Sequence, residues 1–253
     1  MTDNFKFKAI AFDYGFTLYN ILKKDESTIQ KMRSVLAEYL KCEYKFSDSD
    51  LLVFFNHFTE IYKIRKANNV NHSLVELNTL DCIEKAFEKM SCKINKAEIT
   101  SYVDRYHAHE LDFIQPLGNS IAVIQMLFKK RIPLALVTNN PWHNIITLAL
   151  ERDNLLSCFD EIISSSNIGI RKPSPEIFNK LLHSWKRFSP SEILFVGDSL
   201  VNDVSGAKAL GIKTALLKSI IADESDVTPK DFNFDKVRPD YLIKEIDAIL
   251  NLI

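Results

Sequence analysis

Apolar residues recur at helical spacing through the first part of the chain. Ile29, Met32, Val35, Leu36, Tyr39 and Leu40 fall on one helical face. Leu51, Phe54, Phe55, Phe58, Ile61 and Tyr62 form a second set, and Leu77, Leu80, Ile83, Phe87 and Met90 a third. The stretch from Ile99 to His109 supports a fourth helix. No glycine or proline stands between Phe16 and Gln115, so nothing punctuates these periods. Residues 19–111 are therefore predicted as a helical insertion. Ser73 with Glu76 and Asn95 with Glu98 read as helix starts, the first in the spacing of a capping box.

The flanks follow another pattern. Lys8 to Phe12 is a short apolar strand ending at Asp13. After Pro116 the periods predict a helix (Ile121 to Lys130) and a strand (Ile132 to Val137). A helix follows, with Asn140 as N-cap and Pro141 at its first position. Next come a strand (Glu161 to Ser164), a helix opened by Ser174-Pro175 and a strand (Ile193 to Val196). A helix ending near Gly211 and a strand (Thr214 to Leu217) continue the alternation, and Tyr241 to Leu252 reads as a closing strand and helix. Ile220 to Arg238 reads as a polar, irregular surface connection. Strands alternating with helices predict an α/β fold, a Rossmann-like parallel sheet with helices on both faces. Its core is expected over 1–18 and 112–253, with 19–111 as an inserted all-helical cap.

Composition narrows the function classes. The chain has 253 residues, 46% hydrophobic and 26% charged, which suits a globular protein with a sizeable core. A formal net charge of -1 gives no global field for nucleic acid or an anionic membrane. There is no apolar run of transmembrane length and no signal-peptide stretch in Met1 to Lys6, so a cytoplasmic protein is expected. Cys42, Cys82, Cys92 and Cys158 form no Cys-x-x-Cys pair, and reduced, mostly buried thiols are expected.

Four segments carry candidate chemistry: Phe12-Asp13-Tyr14-Gly15-Phe16-Thr17-Leu18, Val137-Thr138-Asn139-Asn140, Arg171-Lys172-Pro173, and Val196-Gly197-Asp198-Ser199-Leu200-Val201-Asn202-Asp203. Carboxyl ends of parallel strands share one edge, so a carboxylate, a hydroxyl, a lysine and an acidic pair would meet in one crevice. A carboxylate there can act as a nucleophile. Its approach to an anionic phosphate requires positive charge, which a lysine or a hard divalent cation supplies.

In this order and spacing the segments resemble the four motifs of the haloacid dehalogenase-like (HAD) hydrolase superfamily. Asp13, Thr17 and Leu18 match the first, Thr138 the second, Lys172 the third, and Gly197, Asp198, Ser199 and Asp203 the fourth. The helical insertion after strand one resembles the cap of the phosphoglycolate phosphatase, phosphoglucomutase and dehalogenase branch. The resemblance implies a Mg2+-dependent phosphatase acting on a small phosphorylated metabolite through an aspartyl-phosphate on Asp13. It implies metal ligands from Asp13, the Gly15 carbonyl and Asp198, with Asp203 orienting a metal-bound water or pairing with Lys172. Thr138, the Asn139 amide and Lys172 would hold the phosphoryl oxygens. The chain departs from the family at Gly15, where a second aspartate usually protonates the leaving group and then activates water. Without it, acyl and aryl phosphates are expected to outpace alkyl phosphates. His143 is the nearest candidate for a substitute acid, and a place in the first turn of a surface helix is its other reading.

Other readings stand beside these. A 2-haloacid dehalogenase-like enzyme would use the same nucleophile, a phosphonatase-like one would need a cap lysine, and a catalytically weakened protein would only bind a phosphorylated ligand or partner. Asp203 also suits the start of a helix after Asn202, a residue given no role. His57, His72, His107 and His109 are read as surface or interhelical residues, and Phe54, Phe55 and Phe58 as core.

Overall fold

The computed structural model describes residues 6–70, 74–218 and 237–253, with 68–70 as backbone alone. Ser73, His72 and nearly all of the Ile220 to Arg238 connection lie outside the described residues.

The strands are β1 (Ala9–Phe12), β2 (Tyr19–Ile21), β3 (Ile114–Pro116), β4 (Leu134–Thr138), β5 (Glu161–Ser164), β6 (Ile193–Gly197), β7 (Lys213–Leu217) and β8 (Tyr241–Ile243). Six of them form one sheet in the order β5-β4-β1-β6-β7-β8, with every pairing parallel. Counting only these six, the order is that of a Rossmann-like sheet, reversing beside β1. β1, β4 and β6 are buried along their whole length, as strands covered on both faces must be. Side chains alternate between two cores. Ala9, Ala11, Ala135, Val137 and Phe195 pack with Ile177, Phe178 and Leu181 of the helix Pro175–Ser184. Ile10, Phe12, Leu134 and Leu136 face the other way, into a core that runs on into the inserted helices.

Four helices stand between β2 and β3: α1 (Glu26–Tyr44), α2 (Asp48–Val70), α3 (Thr79–Lys89) and α4 (Lys96–Ala108). They pack as the periodicity predicts, with Leu36, Tyr39, Phe54, Phe58, Ile83 and Phe87 all buried. The Phe54 and Phe87 rings meet edge to face at 5.5 Å. The remaining helices are α5 (Ser120–Lys129), α6 (His143–Arg152), α7 (Ser165–Ile168), α8 (Pro175–Ser184) and α9 (Gly206–Ala209).

Several local readings are corrected. Tyr19 to Ile21 is strand rather than helix, because it pairs antiparallel with Ile114 to Pro116 to make a ribbon at the root of the insertion. The helix expected from Ser73 and Glu76 begins instead at Thr79. Asn78 caps it, accepting from the Asp81 amide while the Asp81 carboxylate accepts from the Asn78 amide. Glu76 is buried in an ion pair with Arg171. α6 begins at His143, not Pro141, because Asn140 Oδ1 closes a turn onto the Trp142 amide before the helix starts. Ser199, not Asp203, caps the helix after β6, and Asp203 lies inside that π-helical turn (Leu200–Ser205). The closing helix is a 3-10 segment, Ile246–Asn251. Cys82 and Cys158 are buried, while Cys42 is exposed.

Candidate active site

Three strand ends meet where the sheet order reverses. Asp13 follows β1, and its amide donates to the Val196 carbonyl of β6 at 2.8 Å. Thr138 closes β4, and Asp198 follows Gly197 at the end of β6. Lys172 stands in the loop before α8. All of these line one cavity of about 330 Å³, together with Gly15, Asn139 and Asp203. The sheet topology thus brings the sequence-predicted residues together.

Lys172 lies at the centre and is buried. Its Nζ donates to Asp13 Oδ1 at 2.5 Å and to Asp203 Oδ1 at 2.6 Å. Burial opposes the lysine charge, but the two carboxylates outweigh it and hold the Lys172 pKa above its ordinary value. Burial pushes the Asp203 carboxyl up to about 6, against the attraction of Lys172 and helped by repulsion from Asp13. Asp203 Oδ2 also accepts from the Ser199 amide at 3.0 Å. This close approach requires Gly197, since a Cβ there would collide with the Asp203 carboxylate.

Two neighbours fix the frame. Thr17, fully buried, lies with Oγ1 3.4 Å from Asp198 Oδ1. Asn139 grips the lysine loop twice, donating Nδ2 to the Lys172 carbonyl at 3.0 Å and accepting from the Lys172 amide at 2.8 Å. This side-chain role of Asn139 was not legible in the sequence. Asp13, Asp198 and Asp203 each present an oxygen within 4.8 Å of the others. Such a set of hard carboxylate oxygens fits a magnesium ion.

His143 does not line the cavity. It sits half-buried at the start of α6 with Nδ1 3.0 Å from Ser164 Oγ, and burial lowers its pKa. His107 does line the cavity and is buried, with Nε2 2.8 Å from Thr79 Oγ1. His109 is exposed, and His57 Nδ1 lies 3.9 Å from Glu60 on the surface of α2. The inserted segment also contributes Lys24, Tyr62, Arg65, His107 and Glu110, of which the sequence marked only Tyr62, as part of an apolar helical face, and His107, as a surface or interhelical residue. Lys24, Arg65 and Glu110 were single polar positions on a helix or its flank, with no motif to mark them. Asn202, given no role from sequence, also lines the cavity.

The helices are tied to the core beside Lys172. The Arg171 amide donates to the Leu74 carbonyl at 2.8 Å and the Glu76 amide to the Gly169 carbonyl at 2.9 Å. The Glu76 carboxylate pairs with Arg171 and accepts from Ser165 Oγ at 2.6 Å. Trp142 Nε1 and Asn144 Nδ2 of the core both donate to Asp104 of α4, at 2.8 Å and 2.7 Å.

Comparison with known proteins agrees with this geometry. The chain is 27% identical over 169 residues to the glyceraldehyde 3-phosphate phosphatase of Pyrococcus furiosus, a match spanning 65% of each chain and so just under two thirds of that relative's length. It is 24% identical over 253 residues to the enzyme of the same name from Methanopyrus kandleri, covering 97% of both. The fold resembles that of the Bacillus subtilis HAD-hydrolase YfnB, solved bound to magnesium, with TM-score 0.59, 17% identity and 98% of both chains covered. The profile of the haloacid dehalogenase-like hydrolases matches residues 10–217, from β1 to the end of β7. The chain belongs to the haloacid dehalogenase-like hydrolase family.

Proposed function

We propose that this protein is a Mg2+-dependent phosphatase of a small phosphorylated metabolite, with Asp13 as the nucleophile. The observation that carries it is the buried lysine held between Asp13 and Asp203 beside Asp198 and Thr138. Its relatives named as glyceraldehyde 3-phosphate phosphatases support a phosphorylated substrate of similar size. The 330 Å³ cavity suits such a molecule better than a polymer.

An oxygen of Asp13 attacks phosphorus as the bond to the leaving-group oxygen breaks. Water then cleaves the aspartyl-phosphate at phosphorus, returning the carboxylate and inorganic phosphate. Lys172, Thr138 and the Asn139 amide hold the phosphoryl oxygens, and positioning with electrostatics supplies most of the rate. Asp13, Asp198, Asp203 and the Gly15 carbonyl would hold the magnesium, which when bound offsets charge between carboxylate and phosphate. Against the dehalogenase-like alternative, the fourth segment carries both Asp198 and Asp203, as metal-binding phosphatases do.

Gly15 offers no proton to the leaving group. A general acid contributes on the order of 10²–10⁴ in rate, so acyl and aryl phosphates outpace alkyl phosphates. Residues 19–111 act as the cap over a core of 1–18 and 112–253, excluding water until the second step. The enzyme works in the cytoplasm; among the described residues no helix is long and apolar enough to cross a membrane.

Acid quenching with acetyl phosphate and magnesium, followed by peptide mass analysis, tests this reading. One phosphoryl group on the peptide carrying Asp13, absent from Asp13→Asn, is expected. Phosphate release with no modified Asp13 peptide at any quench time would contradict it.

A further inference from the structure

The wall of the cavity opposite the strand ends is built by the inserted helices, and its cations are not alike. Lys24 Nζ lies 3.3 Å from Glu110 Oε1. On the core side, Arg171 is paired with Glu76, and Lys172 with two aspartates. Arg65 of α2 is different. It lines the cavity with only 5% of its surface exposed, and among the described residues its Nε and Nη1 have no hydrogen-bond partner. Its guanidinium carbon stands 4.2 Å from the centre of the Tyr62 ring, within cation–π range. Arg171 lines the same cavity, and burial, with a smaller contribution from the Arg65 charge, lowers its pKa against the pull of Glu76.

An uncompensated buried charge costs several kcal/mol, and each orphaned donor about 1–3 kcal/mol. Folding alone gives no reason to keep such a group against a cavity wall. A ligand anion does, because the guanidinium fork matches a carboxylate or a phosphate in two-point geometry.

We propose that Arg65 is a specificity residue that binds a second anionic group, a carboxylate or a second phosphate, on the leaving-group side of the substrate. This rests on the phosphatase reading of the site. With one anion at Asp13 and Lys172 and the other at Arg65, a cavity of about 330 Å³ leaves room for a short carbon skeleton. The substrate class is then a small phosphorylated acid or a small bisphosphate.

The test compares 3-phosphoglycerate, propane-1,3-diol bisphosphate and glycerol 3-phosphate as substrates of the full-length protein, Arg65→Met and Arg65→Lys. The wild type is expected to favour one of the two dianionic-ended esters over glycerol 3-phosphate by about tenfold or more in kcat/KM, the worth of one charged hydrogen-bond pair. Which ester wins identifies the anion. Arg65→Met is expected to remove most of that preference through KM, and Arg65→Lys to restore part of it. No preference in the wild type, or equal losses on all three esters, would overturn the proposal; equal losses are what a charge merely balancing buried Glu76 would give. Calorimetric binding of the same esters to Asp13→Asn, with and without Arg65→Met, separates this from failure of the phosphatase reading. If nothing is turned over, an Arg65-dependent binding preference still supports the anion site, and equal binding of all three still overturns it.

Discussion

In the proposed mechanism, Gly15 is the residue that decides which leaving groups depart readily. A Cβ there would meet only Ile21 Cγ1, at an ordinary contact distance of 3.6 Å. Gly15→Asp is therefore expected to fold normally and to raise turnover of an alkyl phosphate on the order of 10²-fold, with a smaller gain on acetyl phosphate. Equal gains on both would remove the missing-acid explanation. Gly197 is the opposite case, because Gly197→Ala drives a methyl group into the Asp203 carboxylate and pulls it from Lys172. Lys172→Met leaves Asp13 and Asp203 buried against each other. Loss of turnover and a destabilisation of about 3–5 kcal/mol at neutral pH are expected, read from urea midpoints. Asp13, Thr138 and Asp198 were legible because each stands at a strand end, where topology fixes the meeting point, and Lys172 because it falls in sequence just before the helix that follows. Arg65 was not, because one polar residue on a helix looks the same whether it faces solvent or a cavity.

At the scale of elements, hydrophobic period carried most of the prediction. Parallel strands buried on both faces read as short apolar runs, and α1 to α4 read as long periodic segments without breakers. What was missed depends on pairing and on local side-chain bonds. Tyr19 to Ile21 is strand only because Ile114 to Pro116, far along the chain, lies beside it. The start of α3 was misplaced because Asn78 and Asp81 offer the same cap chemistry as Ser73 and Glu76, five residues later. Glu76 serves instead to tie the inserted helices to the loop carrying Lys172. Asn78→Ala is expected to cost about 1 kcal/mol of stability through the lost cap, with little effect on the chemistry. Chemical denaturation and phosphate release measure the two separately, and a fall in activity without a fall in stability would contradict that division.

Across the whole molecule, the sheet order places the site, and its far edge is held by charge. Asp240, just before β8, accepts from Lys208 Nζ at 3.0 Å, Lys213 Nζ at 3.1 Å and the Thr214 amide at 3.0 Å. Burial raises its pKa, but these donors outweigh burial and bring the carboxyl from an ordinary 3.8 down to about 2. A depressed carboxyl stabilises the fold above its unfolded pKa, and that contribution disappears as pH falls from about 4 towards 2. Wild type should therefore lose more stability than Asp240→Asn between pH 5 and about 2.5, read from urea midpoints, and parallel losses would contradict it. The most direct measurement is phosphate release from acetyl phosphate, p-nitrophenyl phosphate and a sugar phosphate, with and without magnesium, for wild type and Asp13→Asn. Turnover that needs magnesium, ranks the sugar phosphate last and vanishes in Asp13→Asn is the expected result. Turnover that survives Asp13→Asn, or that proceeds equally well without magnesium, would contradict a metal-dependent aspartyl phosphatase.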